Sequence, residues 1–219
     1  MIARHRNVIQ VVVALLLAGQ LVWASTVAAA APQQQPHQTP LSIAVVGDQN
    51  SAGIDNLEVW PTLMAARTGW HVSNCALPEA GFAANGTGGQ AFSYQVDRAQ
   101  AAHPDVILLV TGTADASIGG TEGVTVGAVD AINKIIRGGQ RVAVVGPIWY
   151  ETPTPDSIWR VNDAVHKVAA MAGVPFFNAV DPPLLTRELM HRNLSAPSDA
   201  GQSVIADKVA AWLRAEVAT

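Results

Sequence analysis

Two kinds of apolar pattern alternate along this chain. Short β-rich runs at 42–46, 70–76, 106–111, 142–146 and 175–178 are interleaved with longer helical stretches at 60–67, 94–102, 124–137 and 157–171; a last helical stretch covers 200–218. The short runs suit strands buried on both faces, and the long ones suit helices that cover them. Punctuation agrees with the pattern. Gly69, Gly138-Gly139 and Gly173 stand where helices need C-terminal caps, and Ser198-Asp199 supplies capping residues ahead of Val204, Ile205, Val209 and Leu213.

The order predicts an α/β fold: a three-layer, flavodoxin-like, doubly wound parallel sheet of five strands, with its active crevice at the carboxyl ends of the strands. With 219 residues, one domain with a sizeable core is expected. The chain has no internal repeat.

Residues 1–31 follow another logic. Arg4, His5 and Arg6 precede an apolar run from Val8 to Leu17, and the segment ends in Val27-Ala28-Ala29-Ala30-Ala31. A basic start, an apolar middle and a small-residue end make a secretory signal, with cleavage after Ala30 fitting the A-x-A rule. An uncleaved membrane anchor is the other reading, and both place the domain outside the cytoplasm. Residues 32–40, PQQQPHQTP, read as a linker, so the folded domain is expected over 41–219.

Loss of Arg4 and Arg6 takes the formal charge from −4 to −6, which argues against nucleic acid or an anionic membrane surface as partner. Any membrane contact would run through the N-terminal segment. The single cysteine, Cys75, cannot form an intrachain disulfide and is expected as a small buried hydrophobe. His71, His103 and His166 fall at expected surface positions. No H-x-x-H or paired cysteine suggests a metal site.

The chemistry-bearing residues sit at strand ends. The first strand runs into Gly47-Asp48-Gln49-Asn50-Ser51-Ala52-Gly53, the third into Gly112-Thr113-Ala114-Asp115, and the fourth into Gly146-Pro147. Trp60-Pro61 and Thr68-Gly69-Trp70 follow the first block. The closing segment reads Asn193-Leu194-Ser195-Ala196-Pro197-Ser198-Asp199-Ala200-Gly201. Together, in this order and strand context, these blocks resemble the SGNH/GDSL hydrolases, whose domain the likeness spans from end to end.

That resemblance implies a serine nucleophile after the first G-D, a histidine before the closing proline, a carboxylate three residues earlier, and an oxyanion asparagine in the third block. Residue by residue, those positions hold Gln49, Ala196, Asn193 and Ala114. The oxyanion glycine falls on Glu79, with Gly81 as the alternative match. A missing triad member typically costs several orders of magnitude in rate and a missing oxyanion donor about 10² to 10³. The implied protein is therefore a catalytically inactive binding protein of the cell envelope, without cofactor. Its crevice would be lined by Asp48, Gln49, Asn50, Glu79, Gly81, Thr113, Asp115 and Asn193, for an acylated glycan, a lipid or an envelope protein.

The competing expectation is an extracellular esterase with a rearranged dyad of Ser51 and His191. It is disfavoured because a helical residue two places past Gln49 points some 200° away; the plainer role of Ser51 is a helix N-terminal cap. Asp48 with Asp115 could suggest a hard-cation site, although Asp48 is better placed to bond its own turn. The Gly-rich stretch from Gly81 to Gly89 is expected as a mobile loop over the crevice. Trp149 and Trp159, flanking a Pro-rich stretch, are expected as an exposed contact surface.

Overall fold

The computed structural model describes residues 40–86 and 88–217; the expected signal segment and nearly all of the linker lie outside them. The strands are β1 (Ser42–Val46), β2 (His71–Asn74), β3 (Val106–Val110), β4 (Arg141–Val145) and β5 (Phe176–Phe177). The helices are α1 (Gln49–Ala52), α2 (Trp60–Thr68), α3 (Phe92–Ala101), α4 (Glu122–Arg137), α5 (Asp156–Met171) and α6 (Asp199–Glu216). Short 3₁₀ turns cover Thr113–Ser117 and Arg187–Leu189.

All strand pairings are parallel, in the order β2-β1-β3-β4-β5. Parallel neighbours need crossovers, and the intervening helices supply them on both faces. Alternate residues of each strand divide the core. Ala44, Val46, Ile107, Leu109, Val142 and Val144 meet α3, α4 and α5, whereas Ile43, Val45, Val106, Leu108, Ala143 and Val145 meet α2 and α6. β3 is buried along its whole length because it lies at the centre with helices on either side.

Some sequence expectations shift. The strand expected at 175–178 shortens to Phe176–Phe177 at the sheet edge. α1 is capped by Asp48, whose side chain accepts from Asn50 N; Ser51, expected as a cap, lies inside that turn and is buried. Gly69 takes the left-handed conformation that ends α2, with its N–H on Ala65 O. After α4 the left-handed residue is Gly139 rather than Gly138.

Candidate ligand-binding crevice

Strand order reverses between β2-β1 and β3, so β1 and β3 end at the topological switch point, where the two following turns face each other. Asp48 joins them. Fully buried, its carboxylate accepts from Asn50 N at 2.9 Å on its own side and from Thr113 N and Thr113 Oγ1 at 2.9 and 3.0 Å across the crevice. Burial pushes its pKa from 3.8 up to about 6, against the opposing pull of these hydrogen bonds.

Gln49 lies on top of this pair. Its Oε1 accepts from Glu79 N at 2.9 Å, and its Nε2 donates to Thr113 Oγ1 at 3.0 Å. Because Thr113 Oγ1 in turn donates to Asp48, every bond in the chain has one donor and one acceptor, which fixes the amide's orientation. The backbone donor of Glu79 is thus occupied by the protein's own side chain. Glu79 has a φ of 61°, the left-handed conformation that glycine favours. Gly81 is needed for a different reason. A Cβ there would lie 2.3 Å from Oδ1 of Asp115.

Asp115 does not face the crevice. It is fully buried, and its two oxygens accept from Phe82 N, Ala83 N and Ala84 N at 2.8, 3.0 and 2.9 Å. Burial raises its pKa while these three N–H groups oppose the rise. The start of the Gly-rich stretch, expected to be mobile over the crevice, is instead tied down by this carboxylate. Phe82 is drawn into the core, where its ring meets Phe92 edge-on at 4.9 Å. Asp48 accepts from two N–H groups and one hydroxyl and Asp115 from three N–H groups, so the two carboxylates brace separate backbone segments. Among the described residues no group of three or more His, Cys, Asp or Glu side chains converges.

The closing segment forms part of the opposite wall. A cavity of about 110 Å³ is lined by Gln49, Asn50 and Thr113 on one side and, on the other, by Ile148, Trp149 and Tyr150 after β4 together with Met190, Leu194 and Ser195 of the closing segment. Asn193 is exposed, and its carboxamide oxygen accepts from Ser195 N and Ser195 Oγ, so it braces its own loop. Ala196 is fully buried beside it, its carbonyl accepting from His191 N. Ala114 is half-buried next to Thr113. The structure therefore brings Gln49, Glu79 and Thr113 into direct contact and sets Leu194 and Ser195 across the cavity from Gln49 and Thr113, whereas Asn193, exposed, and Ala196, buried, do not line it.

The rearranged dyad has no support in this geometry. Ser51 Oγ is buried and accepts from Trp60 Nε1 at 3.2 Å, while Nε2 of His191 is buried without a partner. No hydrogen bond joins the two residues among those described. Trp149 is part of the crevice wall, stacked on Tyr150 at 4.8 Å, rather than part of a separate surface with Trp159.

Several supporting residues were not singled out in the sequence. Gln95, fully buried, accepts from Gly47 N at the root of the first turn. Gln202 on α6 accepts from Trp60 N and donates to Asn50 O, and Asn56 donates to Pro197 O and Asp199 Oδ1. These contacts staple the first block to the last. Their signal in the sequence is weak, because a lone Gln or Asn on a helix or loop carries no spacing rule.

A three-layer parallel sheet with its crevice at the switch point, built from the ends of β1, β3 and the loop before the last helix, defines the SGNH-hydrolase class of fold. The chain belongs to the GDSL-like Lipase/Acylhydrolase family, whose profile matches residues 42–204. A psychrotrophic esterase EstA from Pseudoalteromonas sp. superposes with a TM-score of 0.64 at 15% identity, covering 81% of this chain and 98% of its own. A G-D-S-L family protein from Desulfitobacterium hafniense superposes with 0.65 at 16% identity, covering 78% and 98%. A family two carbohydrate esterase from Clostridium thermocellum gives 0.65 at 15% identity, covering 83% and 66%. At these identities the likeness shows the fold alone. Comparison with curated protein sequences gives no match.

The raised pKa of Asp48 makes a stability prediction. Its folded value of about 6 exceeds the usual 3.8, so the folded state holds this proton more tightly than the unfolded one. The stabilisation is complete below pH 3.8 and is lost as pH rises through 6, by about 3 kcal/mol at 1.36 kcal/mol per unit. Asp48→Asn removes the titration and leaves only a constant offset from the Thr113 N–H that loses its acceptor. Urea unfolding of both proteins from pH 4 to 7 should give a difference that shrinks toward pH 7 by most of that amount, about 2 kcal/mol, because part of the loss lies below pH 4. A difference independent of pH would show that Asp48 titrates normally.

Proposed function

We propose that this protein is exported and uses its hydrolase-type crevice to bind a ligand without hydrolysing it. The carrying observation is the locked amide of Gln49. In the alignment it occupies the nucleophile position, and it fills the Glu79 N–H that an oxyanion would need. A carboxamide is no nucleophile at neutral pH, and Ala196 offers no base to activate one. The exposed carboxylate of Glu79 beside the site would further oppose negative charge developing on a substrate oxygen.

No Asp, Glu, Lys, Arg or His side chain lines the cavity, and the Asp48 carboxylate beneath it is taken up by Thr113 and Asn50, which favours an uncharged ligand group, such as an acylated glycan, a neutral lipid portion or a loop of an envelope protein. The basic start and apolar run of the N-terminus support placement outside the cytoplasm, by a cleaved signal or an anchor. One experiment tests both parts. Expressed with its own N-terminus, the protein should be recovered outside the cytoplasm, and that material should neither hydrolyse p-nitrophenyl acetate above background nor react with a fluorophosphonate probe. Stoichiometric phosphonylation of any serine would overturn the non-catalytic reading, and retention in the cytoplasm would overturn the export reading.

A further inference from the structure

Helices α4 and α5 carry an apolar surface that the core does not use. α4 buries Val124, Ala128, Ala131, Ile132 and Ile135 against the sheet. On its outer side Val126, Val129 and Ile136 stay 55, 37 and 48% exposed, and their spacing of three and seven residues sets them on one line along the helix. Met171, at the end of α5, is 79% exposed. Four of the seven most exposed large apolar side chains among the described residues thus gather on one face, where single scattered ones would need no explanation.

A groove of about 620 Å³ runs beside the stripe, walled by Val129, Ala164, Val168 and Met171. The α5 side of the groove carries exposed Arg160 and Lys167 with Asp163 between them, whereas α4 presents exposed Glu122 and Asp130 on its outer surface and exposed Arg137 at its C-terminal end. Lys134 of α4 is turned away and paired with Asp97 of α3 at 2.6 Å.

We propose that this face is the interface of a twofold homodimer, in which the apolar stripe of each α4 enters the α4–α5 groove of the other copy. A ridge and a groove side by side on one surface are what an isologous contact requires, since each copy must offer both halves. Charge fits the same arrangement where the two acidic residues of α4 lie: the twofold brings Glu122 and Asp130 of one copy to Arg160 and Lys167 on the α5 rim of the other, with Arg137 beyond them at the end of α4 and Asp163 between the two cations. Each helix has 16 residues, or about 24 Å. At the usual spacing of packed helices they offer a face of about 24 by 20 Å, roughly 480 Å², the centre of an interface that the flanking loops enlarge toward the roughly 800 Å² per partner of a standard one. None of the crevice residues belongs to this face, so both crevices stay open in the dimer.

Sedimentation velocity of the purified protein from about 1 to about 100 μM tests the proposal, with circular dichroism and thermal melting confirming that each variant is folded. The expected result is a dimer, with Val129→Glu plus Met171→Glu raising its dissociation constant at least about tenfold. Lys167→Glu should weaken it as well, and adding Asp130→Lys to that variant should restore it by re-pairing the exchanged charges. A folded wild-type protein that stays monomeric over the whole range overturns the proposal. So does a dimer whose dissociation constant none of these substitutions moves, because its interface would then lie elsewhere.

Discussion

Asp115→Ala should lower the unfolding free energy by about 3–5 kcal/mol, the largest loss expected from any single polar substitution in this domain. The side chain is buried, and removing it strands three backbone N–H groups, on Phe82, Ala83 and Ala84, that have no other acceptor in that loop. Each stranded donor costs about 1–3 kcal/mol where water cannot reach it and less where it can; Ala83 and Ala84 are only partly buried. Phe82 would also lose the anchor that holds it against Phe92. Asp115→Asn should cost less, since it keeps one acceptor oxygen.

A second substitution makes this mechanism separable from a general loss of packing. Gly81→Ala drives a methyl to 2.3 Å from the Asp115 carboxylate and should be destabilising by itself. In the double variant the clash is absent, so the two losses should sum to distinctly more than the loss of the pair. Additive losses in chemical denaturation would mean that the carboxylate and the glycine act independently, contrary to the contact between them.

The three central strands, β1, β3 and β4, were legible because burial on both faces leaves an apolar signature, whereas β2, exposed at the other edge, is shorter than the expected 70–76. β5 was harder to bound: an edge strand of two residues carries too little periodicity to mark its ends. At the site, the turns after β1 and β3 identified Gln49 and Thr113, since the carboxyl ends of neighbouring parallel strands must converge. The direction of each side chain was not legible. Asp115 sits two residues past Thr113, and only the 3₁₀ turn at Thr113–Ser117 turns it inward, toward backbone donors some 30 residues away in sequence. Ser51 is not the cap because the helix already starts at Gln49, which makes Asp48 the residue that caps it. Trp149 follows β4 by four residues, close enough for the strand-end rule to have placed it in the crevice.

The remaining large effect is a gain of activity. Gln49→Ser, Ala114→Asn, Asn193→Asp and Ala196→His, made together, should raise hydrolysis of p-nitrophenyl acetate at least about 10³-fold over the unaltered protein, whereas Gln49→Ser alone should leave it unchanged. The geometry explains the asymmetry. Shortening residue 49 frees Glu79 N and Thr113 Oγ1 and puts a hydroxyl at the mouth of the cavity, but a serine without a base stays protonated. A base at position 196 needs its partner at 193, since Asn193 now spends its side chain on Ser195 and would hold an imidazole poorly. Ala114 adjoins Thr113, so an asparagine there could add a second donor beside Glu79 N. Glu79→Gly is the natural fifth change, removing the opposing carboxylate and relieving the positive φ of 61°. Ala196 is fully buried, so an imidazole there must displace its neighbours, and each variant is to be checked for native circular dichroism before assay. Fluorophosphonate labelling at position 49 in the folded fourfold or fivefold variant, and its absence in Gln49→Ser, is the decisive pair of results. A folded variant that remains as inert as the parent would mean that the 193–196 loop does not present position 196 to position 49, and the reading of this crevice as a hydrolase site without its chemistry would be wrong.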